Sequence, residues 1–191
     1  MRKIVQGLRW QLCEKSKSAS SFFPISVYDE SEFVFEFPLS MDCGLKMKKA
    51  GKFEFLEHTA DVYIAAYGKS LKDAFENAAL AMFEVMTNTE KVSPDMADSV
   101  EVEAEDEYAL LYSWLEALLV NFETKNMLYS KFEIVGIDET AEGFSIRATI
   151  WGEKFDAKKH TQKVGVKAVT YHRMEIIKEA DKVTLEFILD I

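Results

Sequence analysis

Two segments of the chain carry apolar residues at helical spacing. In the first, Ser70 and Asp73 lie three residues apart, as in a capping box, and the apolar positions that follow predict an amphipathic helix over residues 71–87. In the second, residues 108–125, the apolar side chains again fall on one face. Both stripes are typical of core packing. The second helix is the more apolar, and we predict that it is central to the core.

Outside these helices, apolar residues alternate with polar ones, which is the pattern of strands with one buried face. The predicted strands are residues 53–55, 62–67, 100–104, 132–137, 143–150, 166–177 and 183–189, and residues 88–98 are predicted to be a loop. These elements show no strict βαβ alternation. They favour an α+β fold, a two-layer sandwich in which a β-sheet carries two main helices packed on one face.

The first fifty residues have a different pattern from the rest. Residues 15–21 form a polar tract of low complexity, and residues 33–37 alternate in a way that would suit an edge strand. We predict that residues 1–50 are an N-terminal extension that is mostly poorly ordered. Residues 51–191 are predicted to form the compact domain, for which Met47 would make a natural start.

Charge is distributed unevenly along the 191 residues. The formal net charge is −10, and residues 51–191 carry 15 Lys and Arg against 27 Asp and Glu. An acidic body repels phosphate backbones, so the composition argues against a general nucleic-acid-binding protein. The apolar content of 48% is typical of a globular domain, and no apolar run approaches the roughly 20 residues of a membrane helix.

The two cysteines, Cys13 and Cys43, both lie in the N-terminal extension. A disulfide framework and a thiolate zinc site are therefore not indicated for the compact domain, and a reducing cytoplasm is the predicted compartment. No continuous apolar segment follows Arg2 and Lys3, so a signal peptide is not predicted.

Candidate chemistry begins at the end of the sequence, where the last predicted strand runs into Asp190 and Ile191. A strand held in a sheet would fix two adjacent oxygen donors, the Asp190 side chain and the Ile191 carboxylate. Hard divalent cations bind such oxygens, although Asp190 could simply end the strand. Far upstream, His58 and Asp61 lie three residues apart between two strands, where both could face one pocket. The alternative for His58 is local packing or capping.

Lys167 is a further candidate. If Val166 and Ala168 face the core, Lys167 points outward together with Val169 and Tyr171, where a cation beside apolar groups suits docking to a partner or an acidic group. An ordinary solvated lysine is the alternative.

Motifs of the common enzyme classes are missing from residues 51–191 of the sequence. This part contains no Gly-x-Ser-x-Gly elbow, no cysteine and no glycine-rich phosphate loop. His160 and His172 show no evident partner, and we predict that both lie on the surface.

Together these residues resemble the archease family. The resemblance rests on three blocks and on a fourth, shorter segment, and it covers about residues 52–191. They are Phe55-Leu56-Glu57-His58-Thr59-Ala60-Asp61, Val166-Lys167-Ala168-Val169-Thr170-Tyr171-His172, Ile188-Leu189-Asp190-Ile191, and Trp151-Gly152-Glu153.

The resemblance implies a non-catalytic protein that activates the RtcB-type tRNA-splicing RNA ligase. It implies that the protein promotes guanylylation of the ligase's histidine with GTP and a divalent metal, and so permits multiple turnover. The implied metal ligands are Asp61, Asp190 and Ile191, with His58 as an additional ligand or a residue that supports them, and Lys167 is implicated in ligase activation. Calcium is the first candidate for the ion, with magnesium, manganese and zinc as alternatives. The expected partner is the ligase in the cytoplasm, with tRNA reached only through it and no membrane involved.

Two other functions stay open at this point. A chaperone-like binding module would stabilise its client by mass action, without metal chemistry. A metal-dependent hydrolase would need an open coordination position near Asp61 and Asp190, with His58 or Glu57 as the base.

Overall fold

A computed structural model of the chain describes residues 51–58, 60–141 and 143–191. The predictions for residues 1–50 lie outside these residues. The described elements are β1 (Phe53–Leu56), β2 (Val62–Gly68), α1 (Leu71–Met86), a short 3-10 helix (Thr89–Lys91), β3 (Met96–Ala104), α2 (Glu107–Lys125), β4 (Met127–Thr140), β5 (Gly143–Lys154), β6 (Ala168–Lys178) and β7 (Val183–Asp190).

The predicted α+β class is confirmed. Strand pairing refines the single predicted sheet into two antiparallel sheets, one with the order β1-β2-β7-β6 and the other with the order β3-β5-β4. Helix α1 packs against β2 and β4, and helix α2 packs against β3 and β6. Each helix therefore buries its apolar face against strands of both sheets.

Side chains at the N-termini fix where both helices begin. The Ser70 hydroxyl accepts a hydrogen bond from the Asp73 N–H at 3.2 Å, and the Asp73 carboxylate accepts one from the Ser70 N–H at 3.1 Å. The predicted capping box is thus confirmed. At α2, Asp106 accepts a hydrogen bond from the Ala109 N–H at 2.8 Å, and the helix ends at Asn126 in the left-handed conformation, with φ 54°.

Helix α1, and not helix α2 as predicted, is the more central to the core, because 11 of the 16 residues of α1 are buried against 6 of the 19 residues of α2. Trp114 of α2 is fully buried, and its indole N–H donates a hydrogen bond to the Phe75 carbonyl of α1 at 3.1 Å. The edge of the Phe83 ring packs against Tyr129 of β4 at a centroid distance of 5.6 Å. Buried aromatic residues therefore join the two helices to each other and join α1 to β4.

Several strand boundaries differ from the predictions, those of β3 and β4 most. Strand β3 starts at Met96 because it pairs with β5 from Met96 opposite Gly152, although Met96 and Ala97 are exposed and the next two residues are polar. Strand β4 is longer than predicted, because bulges near Ser130 and Val135 interrupt the alternation that marks a strand in the sequence.

The four-stranded sheet brings distant parts of the sequence to one end. Val62 at the start of β2 pairs with Leu189, and Ala168 at the start of β6 pairs with Asp190. The beginnings of β2 and β6 and the end of β7 therefore lie side by side. Within the described ranges, no helix combines the length and apolar character needed to cross a membrane.

Candidate functional site

The candidate site lies where the start of β2 meets the end of β7. Asp61 immediately precedes β2 and Asp190 is the last residue of β7, so the pairing of Val62 with Leu189 places the two aspartates as neighbours across these strands. Asp61, Asp190 and Ile191 are all half-buried. We call these three residues the carboxylate end. Asp61 and Asp190, two of the predicted oxygen donors, are 129 residues apart in the sequence and lie side by side in the fold.

His58 holds the turn that leads to Asp61. The Asp61 N–H donates a hydrogen bond to His58 Nδ1 at 3.3 Å, and Nδ1 lies 3.8 Å from the Asp61 carboxylate. The imidazole also meets the edge of the Tyr63 ring at a centroid distance of 6.4 Å. This contact agrees with the alternative of local capping. His58 Nδ1 accepts the hydrogen bond from the Asp61 backbone and so orients Asp61.

Lys167 contacts the carboxylate end through both its main chain and its side chain. Its N–H donates a hydrogen bond to the Asp190 carbonyl at 2.8 Å, and its ammonium group donates one to a main-chain oxygen of Ile191 at 2.6 Å. The side chain is exposed, as predicted. The lysine therefore neutralises part of the negative charge at this end of the sheet.

The predicted outward position of Val169 is wrong. Val169 is buried and pairs with Leu189. Val166 is buried as well, and a spacing of three residues does not fit the alternation of a single strand. The alternation fails because β6 starts only at Ala168, and Val166 belongs to the irregular segment before it. Tyr171 is exposed as expected, and its ring stacks on that of Tyr112 at a centroid distance of 4.4 Å.

A tyrosine–glutamate pair beside His58 was not among the predicted site residues. The Tyr63 hydroxyl donates a hydrogen bond to the Glu186 carboxylate. Burial and this bond raise the pKa of Tyr63 to about 12, so the hydroxyl keeps its proton at neutral pH. Strand alternation puts the two residues on one face, since Tyr63 is opposite Ile188 and Ala65 is opposite Glu186. Only the register of β2 against β7 could have shown it.

The donor set of the carboxylate end is rich in oxygen but small. In the part of the chain that the structure describes, the side chains of His, Cys, Asp and Glu form no group of three or more that could hold a metal ion. Two aspartates and the Ile191 main chain would offer only hard oxygen donors, which suit calcium or magnesium better than a soft metal. A cation here would therefore need further ligands from water or from a partner.

The irregular segment that leads from β5 to Lys167 is anchored by Glu153. This carboxylate accepts hydrogen bonds from the Ser93 N–H at 2.5 Å, from the Lys159 ammonium at 2.6 Å and from His160 Nε2 at 3.1 Å. Burial alone would raise the pKa of Glu153, but these hydrogen bonds outweigh it and lower the pKa to about 2.

His160 is a correction to the sequence prediction. Its side chain is fully buried, whereas His172 is exposed as predicted. The Asp156 N–H donates a hydrogen bond to His160 Nδ1 at 2.9 Å, so the hydrogen that faces Glu153 must be carried by Nε2. The sequence gives no sign of this partner, because Glu153 lies on strand β5 and His160 lies in the turn that follows the strand.

A second anchor lies closer to Lys167 along the chain. The Lys163 ammonium contacts the buried Glu84 carboxylate at 2.8 Å, and the Lys163 N–H donates a hydrogen bond to the Met86 carbonyl at 3.0 Å. Burial raises the pKa of Glu84, but hydrogen bonds from Lys163 and Thr89 reverse that effect and lower it overall. The segment before Lys167 is thus fixed to the C-terminal turn of α1.

Replacing Glu153 with glutamine is expected to destabilise the protein by about 2 kcal/mol at pH 7, because the buried His160 and the Ser93 N–H lose a charged acceptor. The folded-state pKa of about 2 lies below the ordinary value of 4.5, so the carboxylate contributes stability above pH 4.5 that is lost as the pH falls towards 2. Urea unfolding from pH 7 to pH 3 should show the difference between wild type and E153Q shrinking below pH 4.5. The exposed Glu103→Gln is the control, and a difference for E153Q that is constant with pH would contradict this account.

Comparisons with known proteins match the same part of the chain. A model of the Archease protein family matches residues 53–191. The chain is 49% identical over 140 residues to the protein archease of Sulfurisphaera tokodaii, covering 73% of this chain and 99% of that protein. It is 45% identical over 130 residues to the protein archease of Pyrococcus abyssi, covering 68% and 91% respectively. The solution structure of Methanobacterium thermoautotrophicum protein 1598 is 45% identical, with a TM-score of 0.66, and covers 73% of this chain and 98% of that chain.

Proposed function

The chain belongs to the archease family, and we propose that it is a non-catalytic activator of an RtcB-type tRNA-splicing RNA ligase in the cytoplasm. In this proposal it promotes guanylylation of the ligase and so permits multiple turnover. The observation that supports it best is the meeting of Asp61, Asp190, Ile191 and Lys167 at one end of the four-stranded sheet.

The carboxylate end fits a hard divalent cation. Asp61, Asp190 and Ile191 would hold the ion, and calcium, which accepts 6–8 oxygen ligands in flexible geometry, suits an incomplete set of this kind best. His58 would act behind the ligands, since its Nδ1 engages the Asp61 backbone and fixes the turn. When bound, the ion would supply positive charge that polarises or bridges oxygen ligands of the partner.

The small number of side-chain ligands favours a site that a second protein completes. Two half-buried aspartates at the end of a sheet leave room for partner groups, and the protein's own residues would orient and present the cation rather than enclose it. The excess of acidic residues in the compact domain also suits a ligase with a basic RNA-binding face, because complementary charge speeds encounter.

In this proposal each residue has a separate task. Asp61 and Asp190 supply charge and ligands, and Ile191 supplies a further oxygen. Lys167, anchored through its N–H to the Asp190 carbonyl, presents an ammonium group to the ligase. The histidine that becomes guanylylated belongs to the ligase.

Ligase turnover under limiting enzyme tests the proposal. An RtcB-type ligase would be incubated with an excess of cleaved tRNA, GTP and divalent metal, with and without the full chain. We expect about one ligation per ligase molecule without the protein and many with it. An absence of stimulation would overturn the proposal. Protection of the ligase from heat inactivation without faster turnover would favour the chaperone-like alternative, and hydrolysis of a phosphoester by the protein alone would favour the hydrolase.

A further inference from the structure

Three tyrosines lie on the surface where helix α2 packs against strand β6. Tyr108 and Tyr112 are four residues apart on α2 and so share one face of the helix. The Tyr171 ring of β6 stacks on that of Tyr112 at a centroid distance of 4.4 Å and an interplanar angle of 5°. Tyr108 is 44% exposed and Tyr171 is 55% exposed. We call these three residues the tyrosine patch. Aromatic groups left in water in this way are typical of surfaces that contact another protein.

An irregularity of β6 places Tyr171 in the tyrosine patch. Pairing with β7 is regular up to Thr170 and resumes at Glu175, so that four residues of β6 stand opposite a single residue of β7. A bulge of this kind changes the direction in which side chains point. Within it, Arg173 has a left-handed backbone, with φ 52°, and its guanidinium lies 5.9 Å from the centre of the Tyr63 ring on β2. The bulge therefore directs Tyr171 and Arg173 to different neighbours, α2 and β2.

The stack of Tyr112 and Tyr171 contributes to the contact between α2 and β6, but this contact does not account for the exposure of the rings. The buried side of α2, with Leu110, Leu111 and Trp114, already packs into the core. A ring that only braces the helix gains stability by leaving water, whereas more than half of Tyr171 stays in water. The exposed part of the stack is therefore available to a partner.

The charge beside the tyrosine patch is negative. Glu116 is exposed, lies one turn after Tyr112 on α2, and accepts a hydrogen bond from the Tyr112 hydroxyl, which raises the pKa of this tyrosine. Among the described residues, no lysine or arginine forms an ion pair with Glu116. At the other end of the patch, Glu107 pairs with Lys178 at 2.5 Å, so these two residues add no net charge. Glu116 therefore leaves the patch with a carboxylate that a cation can approach.

We propose that the tyrosine patch is a docking surface for an arginine-bearing segment of the partner protein. This inference rests on the proposed function for the identity of that partner, an RtcB-type ligase. A guanidinium group is planar and stacks on aromatic rings, and Glu116 supplies its counter-charge. A lysine ammonium is more strongly hydrated and cannot stack. Arginine is the side chain that proteins favour for RNA phosphates, so a protein that holds RNA offers this chemistry, and charge complementarity favours it as the occupant.

The tyrosine patch and the carboxylate end lie close enough for one partner to contact both. Tyr171 follows Ala168 by three residues, and Ala168 pairs with Asp190. Three residues of extended strand span roughly 10 Å. The two surfaces have different tasks in this arrangement: the tyrosine patch provides affinity for the ligase, and the carboxylate end acts on it once it is bound.

Titration calorimetry of the full chain with the ligase tests the docking surface. We expect Tyr171→Ser to raise the dissociation constant at least about tenfold, as for a tyrosine at the centre of an interface. Tyr171→Phe keeps the ring and is expected to bind within about twofold of wild type. Ile177→Ser is the matched control, because Ile177 is 40% exposed on the same strand but lies at its far end, opposite Thr184. In the turnover assay, Y171S should need more protein for half-maximal stimulation and reach the wild-type level at saturation, because its carboxylate end is intact.

Two peptides test the arginine chemistry without the ligase. Wild type is expected to bind octa-arginine about two- to fivefold more tightly than octa-lysine, the range for an exposed contact between a cation and an aromatic ring, as followed by NMR shifts of the tyrosine rings. Both Y171S and Glu116→Gln are expected to reduce this preference. The exposed Glu116 keeps a hydrogen-bond acceptor in E116Q, so this variant carries the test if Y171S unfolds at a much lower temperature than wild type.

The outcomes separate the docking surface from the proposed function. Equal affinity of Y171S and wild type for the ligase would overturn the docking surface and leave the proposed function intact. An absence of ligase binding by wild type would overturn the proposed function, and the peptides alone would then decide the docking surface. Equal affinity of wild type for the two peptides, or an arginine preference that persists in both Y171S and E116Q, would overturn it.

Discussion

Replacing Asp61 and Asp190 together with asparagine is expected to return ligase turnover to the level of the ligase alone. Asparagine keeps the size and a carbonyl oxygen but removes two negative charges from the carboxylate end. A cation held by few protein ligands then loses most of its electrostatic attraction, and we expect its affinity to fall by at least about tenfold. The measurement is the number of ligations per ligase molecule at limiting ligase, with calcium affinity measured on the same samples.

The double variant Asp95→Asn with Asp181→Asn is the control for net charge. Both aspartates are exposed and lie in loops away from the end of β7, so the control removes the same charge without touching the candidate ligands. It is expected to keep stimulation close to wild type. Full stimulation by the D61N/D190N protein would discard the metal-dependent mechanism but keep the ligase as partner. Equal loss in both variants would point to net charge rather than to the carboxylate end.

Folding of the double variant should be almost unaffected, which separates loss of function from loss of structure. Neither carboxylate is fully buried, and Asp61 contacts His58 Nδ1 through its backbone N–H, which asparagine retains. The pairing of Val62 with Leu189 is a backbone interaction of the sheet and needs no aspartate. Thermal unfolding of the variant is therefore expected within a few degrees of wild type.

Local signals in the sequence were sufficient for most of the helices and strands. The capping box of Ser70 and Asp73 marks the start of α1, and a run rich in β-forming residues marks β7. Local signals failed where the backbone departs from the regular pattern. The bulges in β4 shift the side chains between faces, and β6 begins later than the apolar run that contains Val166 and Val169.

The chemistry of the candidate site was visible in the sequence, but its geometry was not. The residue types at Asp61, Asp190 and Ile191 indicate oxygen donors, whereas their meeting depends on the register of β2 against β7. The same holds for Tyr63 and Glu186, which are 123 residues apart. Sequence periodicity predicts which face a residue occupies on its own strand, and it cannot predict which strand lies beside it.

Glu153 shows the same limit for a charged residue. The short motif Trp151-Gly152-Glu153 is part of the family resemblance, but the sequence gives no physical reason why these three residue types are needed. In the structure, Glu153 accepts a hydrogen bond from the Ser93 N–H, 60 residues away, and from the buried His160. A polar pattern on a strand normally indicates a solvated face, so tertiary contacts were needed to find a buried anchor.

The substitution with the largest expected effect on stability is at Gly152, the glycine of this motif. Gly152 pairs with Met96 of β3 and with Tyr129 of β4, and a Cβ atom added to it would lie 1.8 Å from the Leu128 carbonyl oxygen. Because the clash is with backbone, no side chain can turn away to relieve it. Gly152→Ala is expected to destabilise the protein by about 3 kcal/mol or more, measured by urea unfolding, and to lower the melting temperature by roughly 6–12 °C.

Gly165→Ala is the matched control for Gly152→Ala. A Cβ atom at Gly165 would meet nothing within 4 Å, and its backbone is outside the left-handed region, so alanine there is expected to change the free energy of unfolding by less than about 1 kcal/mol. Equal unfolding midpoints for G152A and G165A would show that β4 and β5 can separate to admit the methyl group. The expected loss in G152A alone would explain why the motif needs glycine: the close approach of β4 and β5 leaves no room for a side chain next to the Glu153 anchor.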